Sequence, residues 1–517
     1  MMSDVIIVSF YLFKIVQYVF WKIISHHKIK DEQMTDPTSI KVKISNYRWT
    51  ICALLFFATT INYLDRQVLS LTWRDFIAPE FHWTNNDYGN ITSLFSIFYA
   101  FSMLFAGRFV DRLDTKKGFL WAIGVWSVAA CLHAYCGIAS SGVITGHWFV
   151  GFKEAREIIG TVGDVSMIIN VSVTLFIIAR FVLALGESGS FPASIKATAE
   201  YFPKKDRAYS TSIFNAGATV GALIAPLTIP VIASKYGWEM AFIIIGAFGF
   251  IWMGFWVFMY KKPQVNPSVN QAELAYIQQD NDHNPTDAQG LPMRKLTFLE
   301  CFKYKQTWAF AVGKFMTDGV WWFYLFWTPA YLSSVYGLTS DSSTAEILIF
   351  ALYAITLLSI IGGWLPSYFV SKKGMNPYAG RMRAMLIFAF FPLLVLLAQP
   401  LGQYSYWFPI IIIGIAGAAH QAWSANIFST VGDMFPKTAI ATVTGIGGMA
   451  GGIGSYLINK GSGMLFDYTE FTQMKFMGFE GIRSGYFIIF SVCAVAYLIG
   501  WVIMKSLVPK YKPITDY

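Results

Sequence analysis

Charge is what this sequence has little of. Of its 517 residues, 13% are Asp, Glu, Lys or Arg, whereas 55% are hydrophobic and 17% are aromatic. A soluble globular domain carries about 25% charged residues. Because so few charged side chains cannot cover a globule of this size, we interpret the chain as a membrane protein whose solvent is lipid.

Cysteine is also scarce. The five cysteines are odd in number, lie mostly in apolar runs and show no metal-ligand spacing. This pattern argues against a disulfide framework, a redox site and a bound metal, and we expect no cofactor. The formal net charge of +9 could indicate a nucleic-acid partner. The basic residues, however, are placed as expected for a membrane surface, so no nucleic acid is expected.

Long apolar segments recur along the chain, and a helix that crosses a bilayer needs roughly 20 such residues. The candidate spans are about 48–72, 88–110, 118–138, 170–192, 208–232, 239–260, 307–335, 345–370, 382–400, 406–428, 438–465 and 484–507. The sequence therefore predicts an all-α polytopic membrane protein with twelve transmembrane helices in two pseudo-symmetric bundles of six. The predicted division is an N-terminal segment 1–45, a first bundle 46–260, a linker 261–305, a second bundle 306–508 and a tail 509–517.

Basic residues concentrate in alternate loops, which predicts the orientation because cytoplasmic loops carry an excess of Lys and Arg. We expect both termini to be cytoplasmic, in the inner membrane of a bacterium. The basic residues of these loops include Arg112, Lys116, Lys117, Lys204, Lys205, Arg207, Lys261, Lys262, Lys372, Lys373, Arg381 and Arg383.

Two segments depart from this regular pattern. Residues 1–30 are apolar but interrupted by Lys14, Gln17 and Lys22, which favours an interfacial helix over a signal peptide; Met34 is an alternative start. The second segment, 140–168, lies between the third and fourth spans and is predicted to be an outer amphipathic insertion. Its charged residues are Lys153, Glu154, Arg156 and Glu157.

The two halves of the chain resemble each other. Phe202-Pro203 follows the fourth span as Phe435-Pro436 follows the tenth, and the same offset places Glu187 on His420. Parallel six-helix repeats that flank a site at the membrane midplane are typical of the major facilitator fold. In the eleventh span, small residues through Gly454 predict close helix packing.

A charged loop follows the second span. It reads Gly107-Arg-Phe-Val-Asp111-Arg112-Leu-Asp-Thr-Lys116-Lys117 and resembles the signature loop of major facilitator transporters. The resemblance implies a gating role, in which charge pairs lock the cytoplasmic side and then break and reform. The alternative is an ordinary basic loop. In either case the motif says nothing about the substrate.

Four ionisable residues lie inside spans of the first half. Asp65 and Arg66 are in the first span, and Arg180 and Glu187 are in the fourth. Each costs about 2.5–3.5 kcal/mol to insert, so each needs a reason to be there. With a rise of about 1.5 Å per residue, all four fall in one layer of the membrane. Since Arg180 and Glu187 are seven residues apart, they share one face of their helix.

A static charge cluster would explain these residues, but a functional site explains them better. A guanidinium stays charged and binds a carboxylate through two parallel hydrogen bonds. A buried carboxylate can take up or release a proton when a nearby positive charge moves. Together the four residues are suited to anion binding coupled to proton movement.

Three motifs that contain these residues together resemble those of the anion:cation symporters, and among them the bacterial hexuronate transporters. The resemblance covers roughly 45–510. The resemblance implies proton symport of a sugar acid. It assigns the substrate carboxylate to Arg66, the protonation sites to Asp65 and Glu187, the partner of the acids to Arg180, and substrate contacts to Tyr63 and Tyr99. The motifs are Asn62-Tyr63-Leu64-Asp65-Arg66, Arg180-Phe-Val-Leu-Ala-Leu-Gly186-Glu187-Ser188 and His420-Gln421-Ala-Trp423-Ser424-Ala-Asn426.

The second half offers polar side chains without permanent charge. His420, Gln421 and Ser424 share one face of the tenth span and Asn426 is nearby, while the seventh span contains aromatic residues that include Trp322. Sugar hydroxyls need donors and acceptors, and the C–H faces of a sugar suit aromatic rings. Each residue alone is equally consistent with helix packing, as is Asn215 in the fifth span. Asp318, in the seventh, has no assigned role beyond a possible one in gating.

The most favoured function is therefore import of a six-carbon monocarboxylate, such as glucuronate or galacturonate, together with protons. The alternatives are another organic anion, namely a hexonate or aldarate, and organic-phosphate/phosphate antiport. The antiporter would need an arginine in each half, and the seventh span has none. A membrane enzyme would need a catalytic set or a large soluble domain. The expected partners are the sugar acid, protons and lipid, and we expect a monomer.

Overall fold

The computed structural model describes residues 44–279, 296–435 and 439–514. The predicted interfacial helix within 1–30 and the middle of the linker lie outside the described residues. Inside them, each predicted span coincides with one long helix. These helices, α1 to α12 in chain order, are Tyr47–Thr72, Asn85–Leu113, Thr115–Ala134, Val165–Tyr201, Lys204–Tyr236, Trp238–Met259, Lys305–Tyr336, Ser343–Lys373, Pro377–Gly402, Trp407–Met434, Ile440–Thr472 and Ile482–Leu507.

Shorter elements connect the long helices. A π-helical turn extends α1, two short helices lie between α3 and α4, and a two-stranded antiparallel hairpin precedes α12. The helical bounds are Trp73–Ile77, Ala78–Phe81, Cys136–Thr145, Phe152–Gly160, Pro263–Val265, Gln271–Gln278 and Phe298–Cys301, and the strands are Lys475–Phe476 and Phe479–Glu480.

Length and composition alone qualify nine helices of the described chain as membrane spans. The other three long helices are α1, α7 and α11. The first contains Asp65 and Arg66, and α7 contains Lys314 and Asp318. These charges lower the mean hydropathy of helices that face the protein interior, where polar groups can find partners.

Helix α2 shows how local sequence sets a helix start. The Asp87 backbone N–H donates to Thr84 Oγ1, and the Thr84 backbone N–H donates to Asp87 Oδ2 at 2.9 Å. This reciprocal pair satisfies donors that the first helical turn leaves without partners. The beginning of α2 is thereby fixed at the membrane edge.

Glycines bring α11 close to both bundles, as the sequence predicted. A Cβ atom at Gly454 would overlap the backbone carbonyl of Phe315 in α7. One at Gly452 would overlap Ala100 in α2. Since small residues let helix backbones approach each other, α11 packs closely against α7 of its own half and against α2 of the first half.

We call the side on which α1 begins and α12 ends the terminal side, and the other the opposite side. The two halves meet on the opposite side. Asp467 of α11 accepts hydrogen bonds from the first backbone N–H groups of α2, at Asn85 (2.9 Å) and Asn86 (2.7 Å). Asp75 makes the reverse connection, from the first half to the second. It accepts hydrogen bonds from Ser333 Oγ (2.6 Å) and from the Ser340 N–H (2.8 Å). These reciprocal contacts join the two halves on the opposite side.

The segment predicted as an outer insertion lies on the opposite side and contains the short helix Phe152–Gly160. Arg156 joins it to the bundle through Glu80 Oε2 and Glu239 Oε1, both at 2.9 Å. The Trp238 indole N–H also donates to Glu80, at 2.8 Å. Burial raises the pKa of Glu80, although the Trp238 hydrogen bond and the Arg156 charge lower it.

On the terminal side the linker helix Gln271–Gln278 holds the start of α1. Glu273 is fully buried and accepts the backbone N–H groups of Tyr47 (2.9 Å) and Arg48 (3.0 Å), as well as a hydrogen bond from Arg48 Nη1 (3.3 Å). A carboxylate at the N-terminus of a helix satisfies its free donors and complements its dipole. The linker thus fixes the first helix of the bundle.

Candidate functional site

An ion pair connects α1 to α4 in the middle of the first half. Arg66 Nε donates to Glu187 Oε2 at 2.8 Å, and the two side chains are 7% and 0% exposed. A buried pair of this kind is tolerated only where charge and hydrogen bonding are well matched. Two of the four charged residues that were predicted to share one layer, Arg66 and Glu187, are therefore in direct contact.

The pairing within the layer differs from the one that the sequence argument assumed. The family resemblance made Arg180 the partner of the acids and assigned Arg66 to the substrate, whereas the structure pairs Glu187 with Arg66. Arg180 lies with its guanidinium 5.3 Å from the centroid of the Phe95 ring, and it interacts electrostatically with Asp65 and Glu187. In this arrangement of the helices Arg66 is therefore already paired with an acid of the protein.

Arg66 and Arg180 both line a small cavity of about 10 Å³. That volume is about the size of one water molecule. Its other lining residues are Leu69, Ser70, Tyr88, Thr92, Phe95 and Phe326. Two guanidinium groups therefore line one small cavity.

Both acids keep one oxygen unused. Asp65 Oδ2 and Glu187 Oε1 are buried and have no hydrogen-bond partner among the described residues. Leaving a buried polar atom unpaired costs about 1–3 kcal/mol, so such atoms require an explanation. An oxygen without a partner can accept a proton or a hydrogen bond from a ligand. This property suits Asp65 and Glu187 to the role of protonation sites, which the family resemblance assigns to them.

Three aromatic rings surround Arg66. Its guanidinium carbon lies 4.7 Å from the centroid of Tyr99, 5.1 Å from that of Trp322 and 5.3 Å from that of Tyr63. Such cation–π contacts stabilise a desolvated guanidinium by about 2 kcal/mol. Trp322 belongs to the second half, so the two bundles share the site. The structure thereby places three predicted substrate contacts around one arginine.

In the second half, His420 is held by two neighbours. Its Nδ1 atom lies 2.7 Å from the Tyr497 hydroxyl, and its ring stacks on Trp321 with centroids 5.2 Å apart. The motif argument had not included Tyr497, because it lies on α12, far from the three motifs. No spacing rule along one helix could have found it.

The remaining predicted contacts are less closely associated with Arg66. Asn426 Nδ2 donates to the carbonyls of Gly362 and Ala422, both at 2.8 Å, so its amide joins α10 to α8. Gln421 and Ser424 are half-buried on α10, and Asn215 is exposed on α5. Among the described hydrogen bonds, none brings these residues to the Arg66 cluster.

Helix α7 contains a further buried ion pair that the sequence analysis did not predict. Lys314 Nζ lies 2.7 Å from Asp318 Oδ2 within α7, and 4.4 Å from the centroid of the Phe428 ring. The seventh span lacks an arginine but contains this lysine as a cation. The signal was present, since a cation four residues before an acid on a helix is a recognised pairing pattern.

The gating motif lies at the terminal side. Lys116 Nζ donates to the Val257 carbonyl at 2.7 Å, and Asp114, just beyond α2, pairs with Lys262 at 3.3 Å. Arg112 and Lys117 are exposed, while Gly107 and Asp111 occupy the last turns of α2. These contacts stay within the first half and its linker, so the gating role remains a prediction.

Long apolar helices in two halves, with a buried ion pair and with Trp322 of the second half against Arg66 of the first, are the architecture of a multi-pass membrane transporter and not of an enzyme. The chain belongs to the Major Facilitator Superfamily, whose family model matches residues 55–458. This confirms the predicted fold class.

Relatives agree with that assignment. The chain is 28% identical to the hexuronate transporter of Escherichia coli (strain K12) over 441 residues, which is 84% of this chain and 90% of the relative. It is 25% identical to the galacturonate transporter of Dickeya chrysanthemi, over 66% of this chain and 87% of the relative. A solved bacterial homologue of the human lysosomal transporter Spinster, inward-facing and unoccupied, matches with a TM-score of 0.63 and 17% identity, over 91% and 99% of the two chains.

Proposed function

We propose that this chain is a proton-coupled symporter that imports a sugar-acid anion, a hexuronate such as glucuronate or galacturonate. The observation that carries the proposal is the buried Arg66–Glu187 pair, in which Glu187 keeps one oxygen without a partner among the described residues. Sequence relatives that transport hexuronate and galacturonate support the same substrate class.

The pair suggests how proton and substrate are linked. A substrate carboxylate and Glu187 compete for the same guanidinium, because the best geometry for either is a close, charge-assisted hydrogen bond. Protonation of Glu187 removes its negative charge and frees Arg66 for the substrate. Loss of that proton restores the internal pair and displaces the substrate. Asp65, next to Arg66 in the chain, is the second proposed proton acceptor.

The surroundings of Arg66 suit a sugar rather than a simple acid. The rings of Tyr63, Tyr99 and Trp322 are apolar surfaces for the C–H faces of a sugar, beside the charge that holds its carboxylate. A neutral hexose would leave the guanidinium without an anion when Glu187 is protonated. The proposal therefore requires a carboxylate as well as the hydroxyl groups.

The direction of transport follows from the basic loops. Lys and Arg residues concentrate on the terminal side, which supports cytoplasmic termini. The contacts of Asp467 and Asp75 then close the site toward the outside. Alternating access requires these contacts to break while contacts on the terminal side form, which is the role proposed for Asp111, Arg112, Lys116 and Lys117.

Two alternatives remain within transport. An organic-phosphate antiporter would use a cation from each half, and Lys314 is such a cation in α7, but Asp318 neutralises it at 2.7 Å. Another sugar acid, a hexonate or an aldarate, would use the same arginine. The difference between these substrates lies at the end of the ligand that is remote from Arg66.

The test is uptake into proteoliposomes. Labelled galacturonate should accumulate above its external concentration when the outside is acidic, and a protonophore should abolish accumulation. Glucuronate should compete strongly, galactonate and glucarate weakly, and glucose and inorganic phosphate should not compete. Galacturonate uptake that is the same with and without the pH gradient would contradict proton coupling. Competition by glucose as strong as that by glucuronate would contradict the anion site.

A further inference from the structure

The ion pair of Lys314 and Asp318 has no part in the function proposed above. Both residues lie on α7, and their side chains are 6% and 14% exposed. An exposed pair with this spacing contributes about 0.3–0.5 kcal/mol. Inside a membrane span the desolvation of both ions costs more than that, and apolar residues of similar size would be at least as stable. Ionisable groups retained inside spans mark substrate or ion pathways.

The position of the pair connects it to the site. Residues 314, 318 and 322 are four apart and share one face of α7, and Trp322 of that face covers Arg66. Asp318 is also one turn from Trp321, which stacks on His420. One helical turn corresponds to about 5.4 Å along the axis, which is of the order of one sugar ring. Toward the terminal side, Asp318 therefore lies about one turn from both tryptophans, and Lys314 lies about two turns from them.

Neighbouring helices hold the pair in place. A Cβ atom at Gly451 would overlap the Asp318 carboxylate, so this side chain packs directly against the backbone of α11. Lys314 Nζ lies 4.4 Å from the centroid of the Phe428 ring of α10. A charge pair fixed between three helices keeps its geometry well enough to recognise a ligand.

We propose that Lys314 and Asp318 bind hydroxyl groups at the end of the sugar acid remote from its carboxylate, and so select monocarboxylates over diacids. The inference rests on the proposed function and specifies its substrate. An ammonium group has three donors and a carboxylate has several lone pairs, so each keeps bonding capacity beyond their mutual contact. A hydroxyl group both donates and accepts, which matches a neighbouring amine and acid. A second carboxylate at this place would meet the negative charge of Asp318.

The test compares two competitors, galacturonate and galactarate, against labelled galacturonate in proteoliposomes. In the wild type, galactarate should compete about tenfold less well. Asp318→Asn removes the repulsion and leaves the Lys314 ammonium free to attract a second carboxylate. The variant should therefore reduce the preference for galacturonate over galactarate about tenfold, or reverse it.

Two further variants keep the result interpretable. Asp433→Asn is the matched control, because Asp433 also belongs to an ion pair, with Arg381 at 2.7 Å, but on the terminal side of α10. It should leave the competition ratio unchanged. If Asp318→Asn fails to insert, the double variant Lys314→Met with Asp318→Asn removes both buried charges together and should also reduce discrimination against galactarate.

Wild-type discrimination retained in either inserted variant of the pair would overturn the hydroxyl subsite. A wild type in which galactarate competes as well as galacturonate would overturn it too. Neither result would affect the proposed function, which depends on wild-type uptake of galacturonate and its response to the pH gradient. Absence of that uptake would remove both proposals.

Discussion

Arg66 Nε lies 2.8 Å from Glu187 Oε2, with both side chains almost fully buried. Arg66, which the family resemblance assigns to the substrate carboxylate, is therefore paired with Glu187, which the resemblance assigns as a protonation site. This relationship makes the two proposed roles interdependent, because an ionised Glu187 neutralises the Arg66 charge and so weakens its attraction for a substrate carboxylate.

Arg66→Lys should weaken substrate binding about 10- to 100-fold, because an ammonium cannot reproduce the planar fork of the guanidinium. Binding of galacturonate to purified protein measures the effect. Arg381→Lys, which changes an arginine paired with Asp433 outside the site, is the matched control and should bind normally. Near-normal affinity in Arg66→Lys would remove this residue from the binding site.

Glu187→Gln should separate binding from coupling, since glutamine imitates the protonated acid in shape and charge. Counterflow exchange of galacturonate should persist, while accumulation driven by a pH gradient should fall to the level reached without one. The control is Glu80→Gln, which changes an acid paired with Arg156 on the opposite side. It should leave the response to the pH gradient intact. Wild-type accumulation in Glu187→Gln would show that its proton is not essential.

Asp467→Asn should loosen the closed opposite side. The variant weakens hydrogen bonds from the Asn85 and Asn86 backbone to a charged acceptor, each worth about 1.5–3 kcal/mol. Ser96 lies at the interface of the halves, 2.9 Å from Ser455, and serves as a reporter position when changed to cysteine.

In a chain whose own cysteines are replaced by alanine, an impermeant thiol reagent added on the opposite side should label Ser96→Cys several-fold faster with Asp467→Asn. Asp87→Asn, at the exposed cap of the same helix, is the control. Equal labelling rates in all three proteins would argue that the Asp467 contact does not hold the halves together.

Arg156→Ala should lower thermal stability in a pH-dependent manner. Burial raises the pKa of Glu80 and Arg156 lowers it, so the variant raises that pKa further. A raised folded-state pKa favours folding at low pH, and that advantage is lost as the pH rises from the unfolded value through the folded one. The loss of stability should be about 1–3 kcal/mol at about pH 8 and smaller at about pH 5.

Lys153→Ala, an exposed change on the same short helix, is the control and should leave the melting temperature unchanged at both pH values. Melting of the detergent-solubilised protein measures the difference. A loss of stability in Arg156→Ala that is larger at acid pH would contradict the assigned role of Glu80.

The sequence by itself determined the architecture. The apolar segments, the matching Phe-Pro pairs and the layer of Asp65, Arg66, Arg180 and Glu187 were all readable, because hydropathy and depth along a helix depend on residues close in the chain. For the same reason the pairing of Lys314 with Asp318 was available from four-residue spacing, although it was overlooked.

Tertiary structure alone decided which charges meet. The spacing along α4 places Arg180 on the same face as Glu187. The ion-pair partner of Glu187 is nevertheless Arg66, which lies on α1. Trp322 covers Arg66 from the other half, and Tyr497 holds His420 from α12. The physical reason is that a buried ion pair is selected by the distance and orientation of side chains on packed helices. These depend on where glycines such as Gly452 and Gly454 let backbones approach, and no periodicity within one helix contains that information.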